Sequence, residues 1–177
     1  VDRFERIPDD SRYATRATLM TGLAQRELGQ NDEARESLAT AYQAAMETPL
    51  AAEILFERAN LERIAGEDAA AAQMYEDFAD RWPDDSRVPD SLFNAAELHL
   101  ELNEIATARG LLRRLNSEYP SVAMEARTRV LEGRILLTEE QPQEAIAVLE
   151  EGTEELAGTE DPAAVIGQYY LVRAYPE

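Results

Sequence analysis

AAQMYEDFADRWPDDSRVPDSLFNAAELHLELNEIATARGLLRRLNSEYP, residues 71–120, carries one script twice. It opens with Ala71, Tyr75, Phe78 and Trp82-Pro83 and passes through Leu92-Phe93-Asn94-Ala95-Ala96. It then returns as Ala108, Leu112, Leu115 and Tyr119-Pro120, 37 residues further on. Apolar residues three and four apart make each opening a helix with one buried face. The aromatic-Pro pair ends it, because proline supplies no N–H and pushes the residue before it out of helical backbone. Each copy is a helix ending in aromatic-Pro followed by a helix with a small residue at its centre.

The same period runs outward through the chain. Gly22, Ala59, Ala96 and Gly133 lie 37 residues apart at every step, and so do Ala34, Ala71, Ala108 and Ala145. Larger residues return in phase: Leu38, Tyr75, Leu112 and Leu149 on trailing helices, and Leu19, Phe56, Phe93 and Val130 on leading ones. Generic amphipathicity repeats at 3.6 residues and does not lock two small-residue series to a longer period. Small side chains at these places predict close crossings of paired helices. The leading and trailing helices are read at about 11–28 and 31–46, 50–65 and 67–81, 87–102 and 104–117, and 121–138 and 142–156. Thr48-Pro49 and Pro142 sit at helix starts, where a missing N–H costs nothing. Asp161-Pro162 opens a ninth helix.

The expected fold class is all-α: a right-handed α-solenoid of antiparallel helix pairs. As one repeat segment over 1–177, it has a partial repeat at 1–8 and repeats at about 11–49, 50–85, 86–120 and 121–158. Another partial repeat follows at 161–177. Pro8-Asp9-Asp10-Ser11-Arg12 recurs as Pro83-Asp84-Asp85-Ser86-Arg87, so Val1, Phe4 and Ile7 read as the tail of a helix without its partner. Incomplete units at both ends predict a segment of a longer protein.

Thirty-six acidic residues against 17 basic ones give a net charge of −19. A field of that sign repels phosphate backbones, so no nucleic-acid partner is expected. All 17 basic residues are Arg, which fits a GC-rich genome and equally an acid-surfaced protein of a salt-loving organism. No apolar run approaches the roughly 20 residues that span a bilayer. Without Cys, disulfides and thiol chemistry are excluded. The single His99, three residues after Ala96, points at a neighbouring helix and reads as a packed side chain, with no second His to share a metal. Asp84-Asp85 reads as helix capping rather than a Ca²⁺ site. Neither a phosphate-binding glycine loop nor a nucleophile motif occurs. The chain is therefore read as no enzyme, with no catalytic residue, no metal and no cofactor. Between Ile135 and Val172 there are nine acidic residues and no basic one, read as a solvated outer face.

A small residue in the leading helix, Ala 12 positions later, a large apolar residue four further on and Pro near the end resemble the tetratricopeptide repeat. The wording Tyr75…Phe78…Trp82-Pro83-Asp84-Asp85-Ser86 with Leu92-Phe93-Asn94-Ala95-Ala96 is similar to a narrower group. These are bacterial cell-envelope members of the Tol–Pal-associated coordinator and outer-membrane barrel-assembly lipoprotein type. The chain departs from the family in its 37-residue period and in Thr18 and Arg129, which stand where a bulky aromatic is expected. Gly152 stands in place of a large residue, from which a loosely packed or bent fourth pair is expected.

The resemblance implies a protein–protein scaffold or adaptor that binds a protein or peptide partner on a concave face of leading helices. Its setting would be a bacterial envelope complex, periplasmic or outer-membrane-associated. The alternative is a regulatory or substrate-recruiting segment of a larger enzyme or signalling protein. Carrying over the family's groove-facing phases assigns Arg16, Leu23, Arg26, Glu57, Asn60, Arg63, Asn94, Glu97, Glu101, Arg127 and Arg134 to the lining. Asn60 and Asn94 are expected to bond a partner's main chain, and Arg26, Arg63 and Arg134 its carboxylates. The ninth helix is apolar around most of its circumference, and Tyr169, Tyr170 and Val172 are assigned to further repeats or self-association.

Overall fold

One turn is used four times. In a computed structural model, which describes residues 13–120 and 122–175, Gly29 (φ 72°), Gly66 (φ 77°), Asn103 (φ 62°) and Glu140 (φ 61°) have left-handed backbone 37 residues apart at each step, and Gly158 (φ 78°) is left-handed outside this register. The following residue's N–H bonds back five residues every time: Gln30 to the Gln25 carbonyl, Glu67 to Glu62, Glu104 to His99 and Gln141 to Leu136, all at 2.8–2.9 Å. This bond closes a helix end whose last carbonyls have no partner within the helix. The same four residues then start the next helix, their carbonyls accepting from Ala34, Ala71, Ala108 and Ala145. The alanine series is thus tied to the turn, not only to the helix face.

The described residues form nine α-helices and no strand: α1 (Ala14–Glu27), α2 (Asn31–Ala45), α3 (Leu50–Ile64), α4 (Asp68–Arg81), α5 (Val88–Glu101), α6 (Ile105–Glu118), α7 (Val122–Thr138), α8 (Pro142–Glu155) and α9 (Pro162–Ala174). The all-α class of paired helices stands as expected. Thr48 accepts from the Leu50 N–H at 3.3 Å, as a capping threonine does, and Pro49 already has helical backbone (φ −58°, ψ −19°) ahead of the regular helix from Leu50. The segment 1–8 and Asp9-Asp10 lie outside the described residues.

The chain divides within α5 into two units, Val1–Ser91 and Leu92–Glu177. In the first, α1 packs on α2, α2 on α3 and α3 on α4. A Cβ on Gly22 would lie 2.8 Å from Leu38 Cγ, which no real contact allows, so the small residue of the leading helix is the seat of the large one on the trailing helix. Ala34, Leu38, Ala59, Ala71 and Tyr75 are fully buried. In the second unit α7 packs on α8, and α9 lies against both. Gly133 seats Leu149 in the same way, its missing Cβ only 2.4 Å from Leu149 Cγ. Gly152 does not loosen this pair. A Cβ there would stand 3.0 Å from the Ala126 carbonyl oxygen and 3.1 Å from Arg129 Cβ, so the glycine lets α8 lie directly on α7.

Candidate binding site on the leading helices

In the first unit an aromatic group sets the position of the leading-helix side chains. Phe78 lies 5.2 Å from Phe56 and 5.7 Å from Trp82, and Tyr75 meets Phe56 edge-on at 5.8 Å. Arg87 covers Phe78 and Phe56, its guanidinium 5.1 and 5.3 Å from their ring centres. Asp85 holds that arginine in place, accepting from its Nε at 2.9 Å, its Nη2 at 2.8 Å and its backbone N–H at 3.0 Å. The bond from Arg87 keeps the Asp85 carboxyl below its ordinary range. So the Pro83-Asp84-Asp85-Ser86-Arg87 stretch is more than a helix cap: it locks a cation over the aromatic core.

From that core the Tyr75 hydroxyl donates to Asn60 Oδ1 at 2.6 Å. With its oxygen engaged, Asn60 offers a ligand its amide NH2. One turn away Arg26 of α1 meets Glu57 of α3 at 2.5 Å and Glu27 at 3.1 Å. Burial opposes the Arg26 charge, but its bonds to Glu57 and Glu27 outweigh that and raise its pKa. Arg26, Glu27, Glu57, Asn60, Arg63 and Ile64 line one surface depression of about 580 Å³. Four of the residues assigned from sequence therefore converge. Arg16 does not join them; it lines a separate depression with Tyr13, Pro49, Leu50 and Glu53.

The second unit brings together two sets that the sequence kept apart. Arg134 meets Glu97 at 3.0 Å and Glu101 at 3.7 Å, and its guanidinium stands 5.4 Å from the Tyr170 ring centre. Its side chain is only 10% exposed. Glu97, Glu101 and Arg134 share a depression of about 440 Å³ with Val165, Ile166, Tyr169 and Tyr170 of α9. Asn94 is half-buried and lines neither this depression nor the one around Asn60. Arg127 lines neither depression; it bonds Asp161 at 2.6 Å, which also caps α9 by accepting from the Ala163 N–H at 2.9 Å. Burial works against the Asp161 carboxylate, but those two donors outweigh it and lower its pKa. His99 is buried, its Nδ1 2.5 Å from Glu104. Among the described residues no group of three His, Asp or Glu is arranged to hold a metal ion, and no helix is long and apolar enough to cross a membrane.

Of the three α9 residues assigned to self-association, Tyr169 and Val172 are exposed at 57% and 75%. Tyr170 is not on that surface. It is half-buried against Leu136, Ala145 and Leu149 and lies under Arg134. The pairings Arg26–Glu57, Asp85–Arg87 and Arg134–Tyr170 are not signalled by sequence spacing alone.

Repeated helical hairpins, with polar side chains of successive leading helices meeting in surface depressions, define a helical repeat protein of the binding-scaffold class. Two tetratricopeptide-repeat family models match, over residues 19–86 and 90–121, together more than half of the chain, and the chain belongs to the tetratricopeptide-repeat family. Solved structures share the fold. A tetratricopeptide repeat protein from Parabacteroides merdae is 19% identical with a TM-score of 0.71, over 90% of this chain and 59% of that one. BtubC (BKLC) from P. vanneervenii is 16% identical at 0.72, covering 92% and 72%. PilF of Pseudomonas aeruginosa is 15% identical at 0.70, covering 97% and 72%. The chain thus spans less than two thirds of the Parabacteroides protein. No curated protein matches it in sequence.

Proposed function

We propose that this chain is a non-catalytic scaffold that binds an extended peptide or a protein segment on its leading helices, as part of a bacterial envelope complex. The convergence of Arg26, Glu57, Asn60 and Arg63 from α1 and α3 in one depression carries the reading. Guanidinium and amide donors beside the apolar Ile64 suit a main-chain carbonyl or carboxylate flanked by an apolar side chain. The envelope setting, periplasmic or outer-membrane-associated, is supported by the wording of Tyr75–Ser86 and Leu92–Ala96 alone. A signal peptide with a lipidated cysteine in the full-length gene would agree with it, and a flanking catalytic domain would replace it with the enzyme-associated reading. The C-terminal helix supplies a second contact surface, for further repeats or for self-association.

Panning the 177-residue chain against a random peptide library tests the binding reading. Selected peptides are expected to lose about tenfold or more in affinity on Asn60→Ala or Arg63→Glu, the loss of one or two charge-assisted or amide bonds. Failure to enrich any sequence, or binding indifferent to both substitutions, would remove the first depression as the site.

A further inference from the structure

We infer that Arg58 and Arg81, which meet on Tyr42, form an oxyanion site that takes a phosphate group. It lies within the first unit and shares no residue with the depression around Asn60.

Three packed helices supply the site: Tyr42 stands on α2, Arg58 on α3 and Arg81 on α4. The Arg58 guanidinium lies 5.2 Å from the Tyr42 ring centre, and that of Arg81 lies 5.9 Å from it. Arg81 also donates from Nη1 to the Tyr42 hydroxyl, and its guanidinium is 4.7 Å from the ring centre of Trp82. Tyr42 is buried, Arg58 half-buried and Arg81 exposed, so a fixed ring carries two cations within reach of solvent.

Neither cation is neutralised by the described residues. At least eight other described arginines pair with a carboxylate. Among the described residues Arg58 and Arg81 pair with none. The carboxylates one turn away are engaged elsewhere. Glu62, four residues after Arg58, is held through both oxygens by Arg35, and Asp77, four before Arg81, accepts from Gln73. Two guanidiniums drawn to one ring repel each other, and the aromatic face offsets only part of that repulsion.

The 37-residue register shows that the arrangement is peculiar to this repeat. The counterparts of Arg58 are Thr21, Ala95 and Glu132, and those of Arg81 are Ala44, Glu118 and Glu155. Where the trailing-helix position is acidic it takes an arginine of its own unit, Glu118 from Arg114 and Glu155 from Arg129. At Arg81 the sign is reversed, and the anion that completes the pattern comes from a ligand.

The donors define its class. A guanidinium presents paired N–H groups that fit two oxygens of one phosphate, and a tyrosine hydroxyl that accepts from Arg81 keeps its own proton to donate. A phosphate group carries about two negative charges, which match two arginines, whereas a carboxylate matches one. The net charge of −19 does not oppose this as it opposes a nucleic-acid backbone. At physiological salt, exposed charges more than about 8 Å apart are largely screened, so a single phosphate meets mainly the local pair.

Trp82, the single tryptophan, reports on the site directly. Sodium phosphate is titrated into the 177-residue chain at mildly alkaline pH, with ionic strength held constant by sodium chloride. A saturable change in Trp82 fluorescence is expected. Arg58→Gln should raise the phosphate dissociation constant by about tenfold or more with an unchanged helical spectrum, the loss of one charge-assisted contact. The same change at Arg113, an exposed residue of α6, should leave it unaltered. Acetate at equal ionic strength should bind about tenfold more weakly than phosphate, since it carries half the charge. A phosphoserine tripeptide separates the sources: tighter binding than inorganic phosphate assigns a phosphorylated partner segment, and weaker binding assigns the free ion. A phosphate response no different from that to chloride, an undiminished response in Arg58→Gln, or acetate binding equal to phosphate would overturn the site.

Discussion

Replacing Phe78 by alanine is expected to cost about 3–5 kcal/mol of stability, the usual loss for a large aromatic removed from a closed core. Phe78 has no exposed surface. Its ring touches Phe56 and Trp82 and is covered by Arg87, so the void has aromatic walls that cannot collapse independently. Asp85→Ala leaves the ring but releases the arginine, and should cost on the order of 1 kcal/mol because the pair is partly solvated. That smaller loss has a defined pH dependence. Arg87 depresses the Asp85 pKa, so the contribution is fully present above the unfolded value of about 3.9 and is lost as pH falls through the lower folded value. Urea unfolding of wild type and Asp85→Ala should therefore converge in acid. A Phe78→Ala midpoint close to wild type would mean that the aromatic group is not the core of the first unit.

Gly133→Leu is expected to cost about 3 kcal/mol or more by overpacking. Even Gly133→Ala should destabilise. Its Cβ would fall 2.4 Å from Leu149 Cγ and 2.6 Å from Cδ2, and the clash outweighs the roughly 1 kcal/mol by which alanine favours a helix over glycine. Gly110 supplies the opposite sign. It sits exposed in α6, with nothing within 4 Å of an added Cβ, so Gly110→Ala should stabilise by up to about 1 kcal/mol. Leu149→Ala in the Gly133→Ala background should recover the clash term, a coupling that a double-mutant cycle reads directly. Equal effects of alanine at 110 and 133 would show that Gly133 is not the seat of Leu149.

Much of this packing is legible in the amino-acid sequence. The helix bounds, the alanine series and the seating of Leu38 on Gly22 follow from periodicity, because a small residue and its large neighbour must recur together for helices to cross closely. The same periodicity misleads at the fourth pair. Gly152 aligns with Phe78 and Leu115 in two other repeats, which suggests a missing large side chain, whereas Ala41 in the first repeat shows that a small residue fits there. The candidate site is legible only as phases on a helix. Phase places Arg26, Glu57, Asn60 and Arg63 on leading helices, but not the reach of one side chain to another. Arg127 shares the groove phase, and its pairing with the Asp161 cap is not visible in that phase. Tyr170 stands in the inward-facing series of Gly22 and Gly133, and it lies under Arg134 rather than on the surface with Tyr169.

The four left-handed turns are expected to order the folding of the hairpins during synthesis. Each hairpin is closed by contacts only a few turns of chain apart, as Gly22 and Leu38 show, so any hairpin can nucleate folding on its own and pass order to its neighbour. The left-handed backbone is free of penalty at Gly29 and Gly66, tolerated at Asn103, and disfavoured by about 1–2 kcal/mol at Glu140, whose Cβ crowds the following carbonyl. The turns that form most readily are thus the two that leave the ribosome first. The chain is expected to fold from its N-terminal hairpin onward, each completed hairpin serving as the template for the next. Pulsed hydrogen exchange during refolding should protect α1–α4 before α7 and α8, and Glu140→Gly should narrow that gap; simultaneous protection of all the hairpins would show that the turns do not set the order.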